Sequence, residues 1–210
     1  MIFAMGPTLL SRLFSAPLSA RRALVFSVVA VAATLGCSDN SGFLSAATSQ
    51  NTIRINSVWA MTGTSSALPA SYRFTTESLE RPQLLTNGAV NFDVAFDLTG
   101  DGKVALYPVR VLVPLPPAGA PVVGLLKSTS TFPVLERAPD KGFVDDSTVV
   151  VGVGELVLIR LSGAGCIYGE PFYAKLSVDS VITAERRIVF RSLINRNCGY
   201  RALTEGLPKN

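Results

Sequence analysis

The chemistry open to this sequence is bounded first by what it lacks. None of its 210 residues is histidine. That removes Ser-His-Asp and Cys-His nucleophilic catalysis, His-ligated zinc and the ordinary neutral-pH general base. Carboxylates remain, and Asp93, Asp97, Asp145, Asp146 and Glu170 are the candidates for a glycosidase-type pair. Asp93 and Asp97 lie four residues apart on one side of an alternating segment, hence about 13 Å apart on a strand. That exceeds the separation such a pair uses, and the two read as part of a solvated face. Gly152-Val153-Gly154 lacks the third glycine and the following helix of a dinucleotide loop, and reads as a strand kink or bulge. Arg186, Arg187, Arg191, Arg196 and Arg201 make the C-terminal part locally basic. They form either a contact patch for anionic lipid head groups or an acidic partner, or a solvated rim.

The stretch Asp97-Leu98-Thr99-Gly100-Asp101-Gly102-Lys103 resembles the opening of an EF-hand-type calcium loop. Asp97, Thr99 and Asp101 match its first three ligand positions and Gly102 its turn glycine, while Pro108 stands where the closing carboxylate belongs. The expectation is a weak ion site at most, or a hairpin turn rich in Asp and Gly.

The elements that must position these residues are strands. Val90, Phe92, Val94, Phe96 and Leu98 alternate with Asn91, Asp93, Ala95 and Asp97, the period of a half-buried antiparallel strand. After the Gly-rich turn the chain returns as Val104–Val113, with Pro108 arguing for an edge or a bulge. Further strands are expected over Ile53–Trp59, Tyr72–Phe74, Val122–Leu126, Thr148–Val153, Glu155–Leu161, Phe172–Ile182 and Arg187–Ile194, with Phe132–Leu135 a weaker one. Glu77–Pro82 reads as a charged turn. These amount to an all-β chain, an antiparallel sandwich or barrel of about eight or nine strands. Residues 52–210 form its single β-rich domain, interrupted by a Pro-rich excursion at 114–146 that reads as either a surface loop or a disordered insertion.

What precedes the domain is different in kind. Arg21-Arg22 is followed by thirteen small or apolar residues, Ala23–Leu35, then Gly36-Cys37 and polar Ser-Asp-Asn-Ser. This resembles the export signal of bacterial lipoproteins, with its positive n-region, apolar core and small residue before a cysteine. The resemblance covers Arg21–Cys37 alone, with the box Thr34-Leu35-Gly36-Cys37. It implies that residues 1–36 are a signal, that Cys37 carries the lipid, and that 37–51, rich in Ser, Ala, Asn and Thr, is a flexible tether. With Cys37 lipidated, Cys166 and Cys198 remain, either as a disulfide in an oxidising compartment or as two buried thiols. Two rivals stay open: Arg21-Arg22-Ala23-Leu24-Val25 as a twin-arginine signal, or the leader retained as a membrane anchor. The apolar core is short for a membrane span, which takes about 20 residues.

Charge adds a further bound. Three of the nineteen basic residues precede Cys37, leaving sixteen against fifteen acids, a net of +1. No basic tract with interleaved aromatics follows, so nucleic acid is not an expected partner. The expectation is a non-enzymatic protein without cofactor, held on the periplasmic side of a bacterial envelope membrane. It would act through protein contacts as an accessory or stabilising subunit of a membrane or envelope complex. A periplasmic β lipoprotein that binds a small ligand, lipid or ion is the alternative.

Overall fold

A computed structural model describes residues 44–86, 88–114, 120, 122–163 and 165–209. The leader 1–36, Cys37 and the first part of the expected tether lie outside the described residues.

Ten strands form two five-stranded antiparallel sheets. The first sheet is built from β1 (Ile53–Trp59), β6 (Val122–Ser128), β8 (Leu156–Ser162), β9 (Phe172–Ile182) and β10 (Arg187–Asn195), ordered β1-β10-β9-β8-β6. The second contains β2 (Ser71–Arg73), β3 (Ser78–Glu80), β4 (Val94–Leu98), β5 (Val104–Pro108) and β7 (Val149–Val151), ordered β3-β2-β4-β5-β7. The two sheets enclose one core and make a sandwich. Its largest fully buried side chains include Tyr72, Phe74, Phe96, Leu106, Ile159, Leu176 and Phe190. The long hairpin β9–β10 turns through Thr183–Glu185 and Arg186, and carries a bulge opposite Val189 and Phe190.

Local chemistry explains where the strands stop. Pro108 pairs with Val94 at the end of β5 and offers no N–H to carry the ladder further. The chain therefore leaves the sheet as a single helical turn, α1 (Val109–Leu112), where the sequence suggests strand to Val113. Glu77–Pro82, expected as turn, contains the short edge strand β3, while Phe132–Leu135 is a turn closed on the Thr131 carbonyl rather than a strand. Gly152–Glu155 passes the chain from one sheet to the other, and Gly154, at φ +82°, donates to the Val178 carbonyl at 2.8 Å. That sheet-to-sheet turn gives the Gly152-Val153-Gly154 run its physical role.

Part of the Pro-rich stretch, within residues 132–143, packs on the first sheet. Strand β8 reads Leu-Val-Leu-Ile-Arg-Leu-Ser: Val157, Ile159 and Leu161 face the main core, and Leu156 and Leu158 face the other way. Apolar residues on both faces require cover on both faces. The second cover comes from Phe132, Ala138 and Leu203, with Leu135 and Phe143 against them, packed on Leu156, Leu158, Tyr173 and Leu193. Lys175 of β9, 4% exposed, fastens this cover by donating to the carbonyls of Phe132 at 2.7 Å and Leu135 at 2.9 Å. Its ammonium also sits 4.4 Å from the Phe132 ring centroid. Burial lowers its pKa, because a cation in an apolar layer is poorly solvated. Lys175→Met removes both charge-assisted bonds, so a loss of about 1–3 kcal/mol is expected in urea unfolding, with faster amide exchange over residues 132–144.

Candidate functional site

Of the residues singled out for an ion site, Thr99 and Asp101 bond each other while Asp97 turns to other partners. Asp97, at the end of β4, accepts from the Thr62 hydroxyl at 2.9 Å and the Leu98 amide at 2.8 Å, and Arg186 stands 3.4 Å away. Asp101 accepts from the Thr99 hydroxyl at 2.6 Å and pairs with Lys103 at 2.9 Å. The Thr99 bond and then Lys103 hold its carboxyl down at about 2. Thr99 and Lys103 also close the hairpin turn between their backbones. Asp97, Thr99 and Asp101 thus build a turn and an ion pair rather than converging. Among the described residues no group of three or more His, Cys, Asp or Glu side chains is placed to hold a metal.

The five arginines do not form a free basic patch. Arg186 meets Asp97, Arg187 meets Glu185 at 2.8 Å, Arg191 meets Asp179 at 2.7 Å, Arg196 meets Glu77 at 3.6 Å, and Arg201 meets Asp140. Each guanidinium has a carboxylate beside it, and Glu77 is shared with Arg54 at 3.7 Å. Arg186 adopts φ +50° at the close of the β9–β10 turn and donates to the Thr62 carbonyl at 2.8 Å. It ties that turn to the loop after β1.

Among the remaining carboxylates, Asp145 pairs with Arg110 at 2.9 Å and Asp146 accepts from Ser147. Asp93 is not on a solvated face: it is 1% exposed, and Asp97 beside it is 7% exposed. One Asp93 oxygen accepts from the Phe74 amide at 2.6 Å. Burial, opposed by that bond and by nearby Arg73, raises its pKa from 3.8 to about 6. A carboxyl titrating there has the acidity of a general acid, but a group this enclosed offers no atom to a substrate. Asp93 instead anchors the turn after β2.

A different region collects features at one end of the sandwich. Cys166 and Cys198 are bridged, with Cα atoms 5.7 Å apart, joining the segment before β9 to the one after β10. Gly199 follows at φ +76°, and a Cβ there would meet Leu44 Cδ2 at 2.7 Å and Glu170 at 3.4 Å, so a side chain would be strained and would displace Leu44. Leu44 thus comes into the domain beside the disulfide. Asn197 then accepts from the amides of Thr48 at 2.8 Å and Ser49 at 2.9 Å, and donates to the Ser49 carbonyl at 2.8 Å. Asn51 exchanges backbone bonds with Gly206 at 2.8 and 2.9 Å. The end of the expected tether, residues 48–51, is therefore fixed to the domain.

Beside this clasp, Cys166 and Gly169 close a turn through the Gly169 amide. Its two central residues, Ile167 and Tyr168, are 91% and 83% exposed. Sequence reasoning passes over both the Asn197 clasp and this tip. An apolar pair held between a cystine and glycines, Gly165-Cys166-Ile167-Tyr168-Gly169, is the signal that could have found it.

Two of the open clefts among the described residues bear on ligand binding. One, of about 480 Å³, is lined by Met61, Thr64, Ser65, Leu68, Arg81 and Gln83, and the other, of about 470 Å³, by Leu126, Leu135, Pro139 and Leu158 among others. Comparison gives no family. No family model, no curated protein and no solved structure matches this chain significantly.

Two measurements follow from this geometry. The native state holds a proton on Asp93 that the unfolded chain releases between pH 4 and 6, so wild-type stability falls as pH rises through that window. The rise from 3.8 to about 6 limits the change to about 3 kcal/mol. Asp93→Asn should remove it from the difference between urea midpoints at pH 4 and pH 7. Separately, the bridge closes a loop of sequence separation 32. Replacing Cys166 and Cys198 together by Ser should cost about 3–4 kcal/mol on the chain-entropy view, read by the same unfolding assay without reductant.

Proposed function

We propose that this chain is a non-enzymatic lipoprotein held on the periplasmic side of a bacterial envelope membrane, acting through protein contacts as an accessory or stabilising subunit of a membrane or envelope complex. The observation that carries the reading is the distribution of its three cysteines. Two are bridged within the sandwich. The odd one, Cys37, stands at the end of the apolar run behind Arg21-Arg22, where a lipid-attachment cysteine belongs. A domain stapled by a cystine also suits an oxidising compartment.

Two features support contact rather than chemistry. The side chains most suited to catalysis or ion binding are used in the domain's own architecture, Asp93 under Phe74 and Asp97 against Thr62 and Arg186. The space between the sheets is filled by side chains, while Leu84 at 62% and Val134 at 71% exposure stand out as apolar groups for a partner. The cleft beside Arg81, with Thr64 and Ser65 as hydrogen-bonding groups, favours the alternative of a small-ligand protein.

Native purification from gently solubilised membranes, followed by mass spectrometry, tests the reading. The expected result is a chain beginning at acylated Cys37 together with stoichiometric partner proteins, and loss of both acylation and membrane retention in Cys37→Ser. Recovery as a lipidated monomer would overturn the subunit role and turn attention to the Arg81 cleft. A soluble, unacylated chain would overturn the anchor.

A further inference from the structure

Ile167 and Tyr168 are the two most exposed large apolar side chains among the described residues. They occupy the central positions of the turn that Gly169 closes on Cys166, and both flanks of that turn are held. Cys166 is bridged to Cys198, and Pro171 accepts the Gly199 amide at 3.1 Å. The tip is therefore preset, and presenting it costs little further ordering. Water is a poor surrounding for this pair, and no described side chain covers it.

We infer that this tip, residues 165–171, is a second point of membrane contact that sets the orientation of the domain, with Ile167 entering the acyl boundary and Tyr168 lying at head-group level. The inference rests on the lipid-anchor reading and adds to it a residue-level contact. Three observations select a bilayer as the occupant. Leu44, the first described residue, packs on Gly199, next to the cystine that bears the tip. Only six residues lie between Cys37 and Leu44, and the seven chain steps span at most about 25 Å. A lipid on Cys37 therefore confines this end of the sandwich to the membrane surface. Third, the tip is a convex dipeptide rather than a groove. An isoleucine beside a tyrosine is the combination a bilayer boundary accepts without a shaped pocket, the ring lying across the interface with its hydroxyl toward water.

Charge then predicts the character of the contact. Glu170 lies within the tip, and Arg196, two residues before Cys198, is paired with Glu77. Attraction to anionic lipid is not what drives it, so the contact should persist in zwitterionic phosphatidylcholine and at high salt.

The chain contains one tryptophan, Trp59. It pairs with Arg187, whereas Ile53 pairs with Leu193 nearer the disulfide end, so Trp59 stands about 20 Å further along the sheet. This provides an internal control. The full-length chain purified from membranes is reconstituted in phosphatidylcholine vesicles with brominated acyl chains, as wild type and as Tyr168→Trp in a Trp59→Phe background. The expected result is blue-shifted, strongly quenched emission from position 168, unchanged by salt, and little quenching of Trp59 in the wild type. Adding Ile167→Ser should restore most of the emission while the far-UV spectrum stays the same. The mass of the Cys37 peptide from the same preparation reads the anchor separately. Acylated Cys37 with unquenched emission at 168 would overturn the tip contact and leave the anchor intact. Emission at 168 shielded from acrylamide only within a native protein complex, and not in vesicles, would also overturn it, in favour of a protein partner. An unacylated chain that does not associate with vesicles would remove the anchor reading and this inference together.

Discussion

The sandwich depends on one meeting of aromatic rings across its two sheets. Phe190, from the last strand of one sheet, stacks on Phe96 of the other with centroids 5.1 Å apart, and takes Tyr72 edge-on at 5.3 Å. Tyr72 in turn meets Phe74 edge-on at 5.0 Å. All four are fully buried. Ring pairs of this kind add to the ordinary gain from removing apolar area from water. They also fix which strands face each other, since a slip of one residue in β10 would turn Phe190 out of the core. At the bulge opposite Val189 and Phe190 the β9–β10 register shifts by one, and Asp179 drops out of the ladder and meets Arg191. Burial raises the pKa of the Tyr72 hydroxyl, and Ser192 and Asn56 provide its polar surroundings.

The outer face of the first sheet follows a second rule. Because β8 is apolar on both sides, the sheet cannot present that side to water, and residues 129–144 together with the C-terminal segment form a third layer over it. Lys175 suits such a layer better than a neutral residue would. Its long stem packs among apolar groups, while its ammonium reaches two carbonyls that would otherwise be buried without donors. The same economy recurs elsewhere, as polar side chains close backbone gaps: Asp93 under Phe74, Asn197 under Thr48 and Ser49, and Arg186 under Thr62.

These placements separate what could be read from the sequence from what could not. The β9–β10 hairpin was legible because its alternation and polar turn are local properties of the chain. The pairing of Cys166 with Cys198 was legible as one of two outcomes, since the cysteines flank that hairpin. The surroundings of Asp93 and Asp97 were not legible. Alternation shows which residues share a face, but whether water covers that face depends on Phe74, Thr62 and Arg186, which are remote in the chain or fall in other elements. The partners of the arginines were not legible for a similar reason. Read together they make a patch, but Asp140, Glu77 and Asp179 are brought to them only by folding. The prolines of 114–146 suggest a surface loop or a disordered insertion, whereas the need for that segment is written in β8, where Leu156 and Leu158 require a cover.

The clasp at Asn197 has a consequence for how the chain is made. Residues 48–51 are held by residues 197–206, and β1 lies against β10, so the earliest part of the domain to be synthesised finds its partners in the last. Contacts of such long sequence separation are slow to form. Until the final strand emerges, β1 has no partner strand in its sheet and Phe96 lacks the ring it stacks upon. The first sheet cannot be completed on a partial chain, so folding is finished only once the C-terminal residues are available.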